Sequence, residues 1–279
     1  MLMKTSTDTL AVDEQVPALQ MPDAKTVLHA NKVEKTYGNG THALARMSLR
    51  IQRGDFVSLL GPSGCGKSTL LKMFAGLEEP SHGHIRWAGA DTPAKSGLTS
   101  AMVFQEATLM PWATVAANVR LPLDLQKVPR VESDARVGKA LAQVGLAKFG
   151  HAYPRELSGG MQMRTSIARA LVTQPDVLLM DEPFGALDEF TRNRLDTDLR
   201  ALWQSTGLTV VFVTHSIYEA VFLSSRVVMM AARPGRIVAD VPLEETDRSE
   251  AYRLSPPFSE HCRTLSGLLM AASDTIDLH

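Results

Sequence analysis

The chain has almost no cysteine. Cys65 and Cys262 stand far apart and match no metal-ligand spacing. That excludes the disulfide framework of a small secreted domain and a cysteine-built zinc site, and it points to a reduced, cytosolic setting. Long hydrophobic runs are also missing: none approaches the ~20 residues a membrane helix needs, so any membrane role has to come through a partner. The opening segment, MLMKTSTDTLAVDEQVPALQMPDAK, lacks a charged start followed by an apolar core and does not read as a secretory signal. Residues 1–25 read instead as a flexible tail. Neither sign of charge is in excess: 29 Lys and Arg stand against 30 Asp and Glu. A net charge of −1 leaves no surface-wide basic field, so no nucleic-acid partner is expected. Internal repeats and low-complexity tracts are absent, which argues against solenoids and disordered arrays.

What remains is an ordinary globular composition. With 279 residues, 44% hydrophobic and 21% charged, the chain suits one large domain or a core with an inserted subdomain. Residues 26–35 and 43–52 read as strands joined by the turn-rich YGNGTH. Residues 55–60 form a short apolar strand running into GPSGCGKST and a helix over 67–75. HGHIRWAGAD is a further strand and turn, and 101–105 another strand. From about 107 to 154 the pattern turns helical, and after the pair Gly159-Gly160 a helix continues to about 173. DVLLMDEP and LTVVFVTH are apolar without alternation, as strands of a parallel sheet covered on both faces are. RVVMM and GRIVAD flank the turn ARPG, and 257–273 reads as a helix with one apolar face. The expected class is therefore α/β: a phosphate-loop core with a helical insertion.

Several of these elements end in residues suited to phosphate chemistry. Gly61–Ser68, GPSGCGKS, fits G-x-x-x-x-G-K-[ST] between a strand and a helix. Backbone N–H groups of Gly61, Pro62, Ser63, Gly64, Cys65 and Gly66 line such a cradle wherever the residue has one, and the helix N-terminus adds partial positive charge. Lys67 suits the β- and γ-phosphates, Ser68 a Mg²⁺ ion, and Thr69 further phosphate contact. Asp181 and Glu182 close a buried strand at its C-terminal end, where α/β folds place ligands. Asp181 suits a contact to Mg²⁺, and Glu182 suits a general base acting on water. His215 closes the other apolar strand, placed to sense a γ-phosphate. Gln105, just before the helical stretch, suits Mg²⁺ or the attacking water. Tyr37 is either a stacking platform for a base or a packed loop aromatic. Ser158, Gly159 and Gly160 make a second bare helix N-terminus of the anion-binding kind, in a chain that already has a stronger one.

Tyr37, GPSGCGKST, Gln105, LSGGM, VLLMDEP, GALD and THS, in this order over about 27–240, resemble the ATP-binding subunits of ABC transporters. The resemblance implies an ATP-driven motor that works as a pair of such subunits beneath a membrane-embedded permease. It implies an ATPase of P-loop type, with an antiparallel β subdomain and an inserted helical subdomain at about 107–172. The domain would span 26–245 and be followed by a short helical extension over 246–279. ATP and Mg²⁺ are the implied cofactors. In that family two subunits pack head to tail, so Ser158, Gly159 and Gly160 of one chain would close on the γ-phosphate held by the other.

FQEATLMPWATVAANV and VVMMAARPGRI are similar to importers of the nitrate, sulfonate and taurine type, which take up small anions or organic acids delivered by a periplasmic solute-binding protein. The implied place is the cytoplasmic face of a bacterial inner membrane. The sequence as read leaves no room for the C-terminal β-domain of some importer ATPases. Leu109, Met110 and Trp112 either dock the permease or anchor the local core. The chain departs from the family pattern at Met161, Met163, Gly185 and Ser216. An alternative reading is a soluble ABC-type ATPase not coupled to transport.

Overall fold

The structure, a computed structural model, describes residues 25–243 and 248–274. Most of the expected tail and the expected domain boundary near 245 lie outside the described residues. Lys25, placed at the end of that tail, is tied down: its carbonyl accepts from Arg53 N at 2.8 Å.

The elements run β1 (Thr26–Thr36), β2 (His42–Gln52), β3 (Phe56–Leu60), α1 (Lys67–Phe74), β4 (His82–Trp87), α2 (Pro93–Ser96) and β5 (Ser100–Val103). There follow α3 (Val115–Leu125), α4 (Arg130–Gln143), α5 (Gly159–Leu171), β6 (Val177–Asp181) and α6 (Glu189–Thr206). The chain continues through β7 (Thr209–Thr214), α7 (Ile217–Leu223), β8 (Arg226–Ala231), β9 (Arg236–Pro242), a 3-10 turn (Glu250–Leu254) and α8 (Pro256–Asp274). Strands β2-β1-β4 form an antiparallel three-stranded sheet. A second sheet has the order β5-β6-β7-β3-β8-β9, parallel except for the β8–β9 edge.

Successive side chains of the inner strands serve different cores. Phe56, Leu60, Leu178, Met180, Val210 and Phe212 pack into one cluster with α5, α6 and α7. Val57, Leu59, Val177, Leu179, Val211 and Val213 pack into another with α1 and the antiparallel sheet. Residues of opposite parity thus both face apolar neighbours, which explains why these strands read as unbroken apolar runs. The C-terminal helix joins the first cluster through Phe258 and Leu265.

Two expectations need correction. The strand expected to reach Gln105 ends at Val103. The helical stretch expected from 107 begins only at Val115, after a loop. Pro111 cannot donate a helical hydrogen bond. The loop's polar groups are instead taken by side chains. Buried Asn118 accepts from Met110 N at 2.7 Å and donates to the carbonyls of Met110, Ala113 and Thr114. Arg169 donates to the carbonyls of Ala107 and Thr108 at 2.8 and 2.9 Å.

Candidate functional site

Strand β3 delivers the chain into the phosphate loop at the C-terminal edge of the parallel strands. Gly66, the N-cap of α1, has φ 87°, a region that L-residues rarely occupy. A Cβ there would lie 2.3 Å from Leu44 Cδ2 and 3.0 Å from the Ala43 carbonyl, so only glycine lets the loop close against β2. Lys67 is 4% exposed, and its Nζ donates to the carbonyls of Gly61 and Pro62 at 2.8 and 2.9 Å. The ammonium is folded back into its own loop, where an anion would find it already desolvated and aimed at the cradle.

Around this loop the sheet assembles its acids. Ser68 Oγ donates to Asp181 Oδ1 at 2.7 Å. Burial pushes the Asp181 carboxyl up, opposed by the Ser68 hydroxyl. Glu182 has φ 45°, a strained conformation for a residue with a side chain, and such strain concentrates at functional positions. One of its oxygens lies 3.7 Å from Lys67 Nζ and the other 3.0 Å from His215 Nδ1. Neighbouring strands β3, β6 and β7 thus bring Lys67, Ser68, Asp181, Glu182 and His215 together at one edge.

A cavity of about 590 Å³ opens there, lined by Tyr37, Thr41, His42, Ala43, Ser63, Gly64, Gly66, Lys67, Ser68, Thr69, Gln105, Asp181, Glu182 and Arg233. Tyr37 borders it with its hydroxyl 3.2 Å from Thr69 Oγ1 and Lys35 Nζ 5.0 Å from its ring centroid. Gly61, Pro62 and Cys65 do not line the cavity: Pro62 is exposed, and Cys65 is fully buried with its thiol pushed up by that burial. His42 and Arg233 are members that the sequence did not reveal. They sit in or beside turns of other elements, and no motif marks them.

Among the described residues, no group of three or more His, Cys, Asp or Glu side chains is placed to hold a metal. Ser68, Asp181 and Gln105 nonetheless offer a hydroxyl, a carboxylate and an amide oxygen. These hard donors suit Mg²⁺ once phosphate oxygens complete its shell.

The second glycine helix is elsewhere. Ser158 caps α5, its Oγ accepting from Met161 N at 3.3 Å. Ser158 and Gly160 line a separate cavity of about 380 Å³ that shares no residue with the first. Within one chain the two phosphate-type helix ends do not meet.

The departures from the family pattern have local reasons. Met163 is buried in the larger core, and Met161 packs against it. Ser216 caps α7 by accepting from Glu219 N at 3.3 Å, as an aspartate would. A Cβ on Gly185 would lie 3.5 Å or more from its neighbours, Gln105 and Glu182 among them, so the position tolerates either a glycine or a serine. Trp112 is 77% exposed, which removes the reading of it as a core anchor. Leu109 and Met110 are half-buried beside it.

A family model described as ABC transporter matches residues 44–185. The taurine import ATP-binding protein of Rhizobium johnstonii is 45% identical, with 85% of this chain and 93% of that protein aligned. The nitrate import ATP-binding protein of a Synechocystis strain is 42% identical, over 81% of this chain and 88% of that one. Among solved structures, a dimeric ATP-binding cassette in a post-hydrolysis state with ADP and phosphate superposes with a TM-score of 0.68 at 32% identity. That match covers 78% of this chain and all of the cassette.

Proposed function

The chain belongs to the ABC transporter family of ATP-binding proteins, and we propose that it is the ATP-hydrolysing subunit of an importer for a small anion or organic acid. The observation that carries this reading is the split geometry. Lys67, Ser68, Asp181 and Glu182 line one cavity, with His215 paired to Glu182 beside it, while Ser158 and Gly160 border another. A single chain with two anion cradles that cannot meet is explained by a second copy that brings them together. ATP is then held by residues 61–69 of one subunit and by Ser158, Gly159 and Gly160 of the other.

In this reading Lys67 and the loop N–H groups bind and orient the phosphates, and Tyr37 carries the base. Ser68, Asp181 and Gln105 would hold Mg²⁺, which supplies charge neutralisation across the β- and γ-phosphates. Glu182 accepts the proton of a water whose oxygen bonds the γ-phosphorus. The bond to the β-phosphate oxygen breaks, and ADP and phosphate result. His215, 3.0 Å from Glu182, orients that carboxylate and contacts the γ-phosphate. Replacing Tyr37 with Ala is expected to weaken ATP binding by ~1–3 kcal/mol, and GTP binding equally, because stacking reads no base edge. Calorimetry with both nucleotides checks this, and unchanged affinity would leave Tyr37 a packing residue.

No described helix is long and apolar enough to cross a membrane. Coupling is assigned to the loop clamped by Asn118 and Arg169, which presents Trp112 to solvent with Leu109 and Met110 at its base. A rigid loop carrying an exposed indole favours docking to a permease over the soluble-ATPase alternative. The subunit then works on the cytoplasmic face of a bacterial inner membrane and meets the periplasmic solute-binding protein only through the permease. Trp112→Ala is expected to lower transport and recovery of the assembled complex while leaving the melting temperature of the isolated subunit unchanged. A lost cooperative melt would count against docking. Unimpaired transport and assembly would take the docking role from Trp112.

A further inference from the structure

Behind the His215 edge of the sheet lies a buried charged cluster that the hydrolytic reading does not use. Glu219, in the first turn of α7, is almost fully buried. Its Oε2 accepts the Thr214 hydroxyl, and Thr214 Oγ1 in turn accepts from Ser216 N at 2.9 Å. Glu219 N donates to Ser216 Oγ at 3.3 Å. The two residues flanking His215 are therefore both tied, directly or through one hydroxyl, to this single glutamate. Arg192 Nε of α6 stands 3.7 Å from Glu219 Oε1. Asp196, whose side chain is 1% exposed, pairs with Arg253 of the C-terminal 3-10 turn at 3.0 Å. Arg253 lies 3.6 Å over the ring of Phe222 on α7.

This cluster is costly. Burial pushes the Glu219 carboxyl up, and the Thr214 hydroxyl and Arg192 pull it back. Asp196 is raised to about 7, first by burial and then by Glu219. Among the described residues, three of the six buried side-chain atoms without a hydrogen-bond partner are Arg192 Nε, Asp196 Oδ1 and Glu219 Oε1. Capping α7 does not require this, because the Ser216 hydroxyl already serves the helix end. A buried carboxylate that a neutral side chain would replace at lower cost calls for another role.

We propose that Glu219 is the positioning residue of His215, holding Thr214 and Ser216 on either side of the imidazole. This rests on the reading of His215 as part of the hydrolytic site. The Thr214 hydroxyl has one proton. While Glu219 accepts it, the oxygen's lone pair stays aimed at Ser216 N, and the backbone carrying His215 is fixed from both ends. Without that acceptor the hydroxyl turns freely, and the imidazole loses its register with Glu182.

The test uses the full-length chain and measures kcat, KM, equilibrium ATP binding and melting temperature. Glu219→Ala is expected to lower kcat ~10²-fold, the scale set by a misplacement of about 1 Å at a reacting centre, with ATP affinity retained. Glu219→Gln keeps an oxygen for Thr214 and is expected to recover most of that loss. Adding Glu219→Ala to His215→Ala is expected to lower kcat no further than His215→Ala alone, because the glutamate acts through the histidine. Should Glu219→Ala not fold, Thr214→Val breaks the same link from the other side and is expected to show the same non-additivity. Losses that multiply in the double variant overturn the proposal. So does a parental kcat in Glu219→Ala or Thr214→Val. A parental kcat in His215→Ala overturns the underlying reading of the site instead.

Discussion

Replacing Glu182 with Gln is expected to leave ATP binding intact and to slow hydrolysis by ~10²–10⁴-fold, the usual contribution of a positioned acid–base group. The amide has the carboxylate's shape. It can keep an oxygen toward Lys67, 3.7 Å away, and a polar atom toward His215, 3.0 Å away. What it cannot do is accept a proton from water. The loss therefore belongs in kcat and not in affinity, because the interaction removed is made in the transition state. With hydrolysis blocked, ATP is expected to hold two subunits closed, seen as an ATP-dependent dimer by size-exclusion chromatography. Near-normal turnover would take the base role from Glu182. His215 would then be the nearest alternative, and His215→Ala in the same assay separates the two. The backbone adds a further constraint. Glu182 sits at φ 45° with its N–H on the Val213 carbonyl at 3.1 Å, so β7 and β6 together aim the side chain. A glycine at 182 would relieve the strain and lose the base, whereas glutamine keeps the strain and isolates the chemistry.

How far the site was legible follows from sequence distance. Residues 61–69 form one local unit whose spacing alone dictates a loop, and the acids of VLLMDEP and the histidine of VTH mark strand ends. The parallel sheet then brings those ends together, because β3, β6 and β7 are paired neighbours. The start of α3 is not legible at about 107 because no turn signal other than Pro111 separates residues 107–114 from the helix that follows. Asn118 and Arg169 hold that loop open by contacts that no periodicity records. The Glu219 cluster was invisible for a similar reason. Asp196 and Arg253 come from elements on either side of the whole β7–β9 segment, and only packing makes them a pair. Arg233 reaches the phosphate-loop cavity from the ARPG turn, which the sequence marks as a turn and nothing more.

Two inactive variants are expected to restore one working site when they are paired. Lys67→Ala removes the ammonium that the loop carbonyls hold and spares α5. The complementary lesion belongs at Gly159. Gly160 is a poorer choice, because a Cβ there would lie 2.7 Å from Thr191 Cγ2 of its own chain and disturb the packing of α5 on α6. Gly159 is exposed, and its Cβ would stand 3.4 Å from the end of the Leu187 side chain. A carboxylate in the first turn of α5 suits the helix dipole, so Gly159→Asp is expected to fold. The same carboxylate repels a γ-phosphate brought to that helix end. Each variant paired with itself is expected to be inactive. In a mixed pair, one site carries both lesions. The other joins the intact loop of the Gly159→Asp chain to the intact helix of the Lys67→Ala chain. Unbiased pairing of equal amounts makes about half of the pairs mixed, so roughly a quarter of all sites are whole in a two-fold dimer. The measurement is single-turnover ATP cleavage in the assembled transporter, with two tags isolating the mixed species. A single turnover is required because steady cycling draws on both sites. Cleavage near half of the parental amplitude in isolated mixed pairs supports a nucleotide shared between subunits. No cleavage above that of the unmixed variants, in mixed pairs that assemble normally, would place the whole site within one chain. The second glycine helix would then have no phosphate to bind.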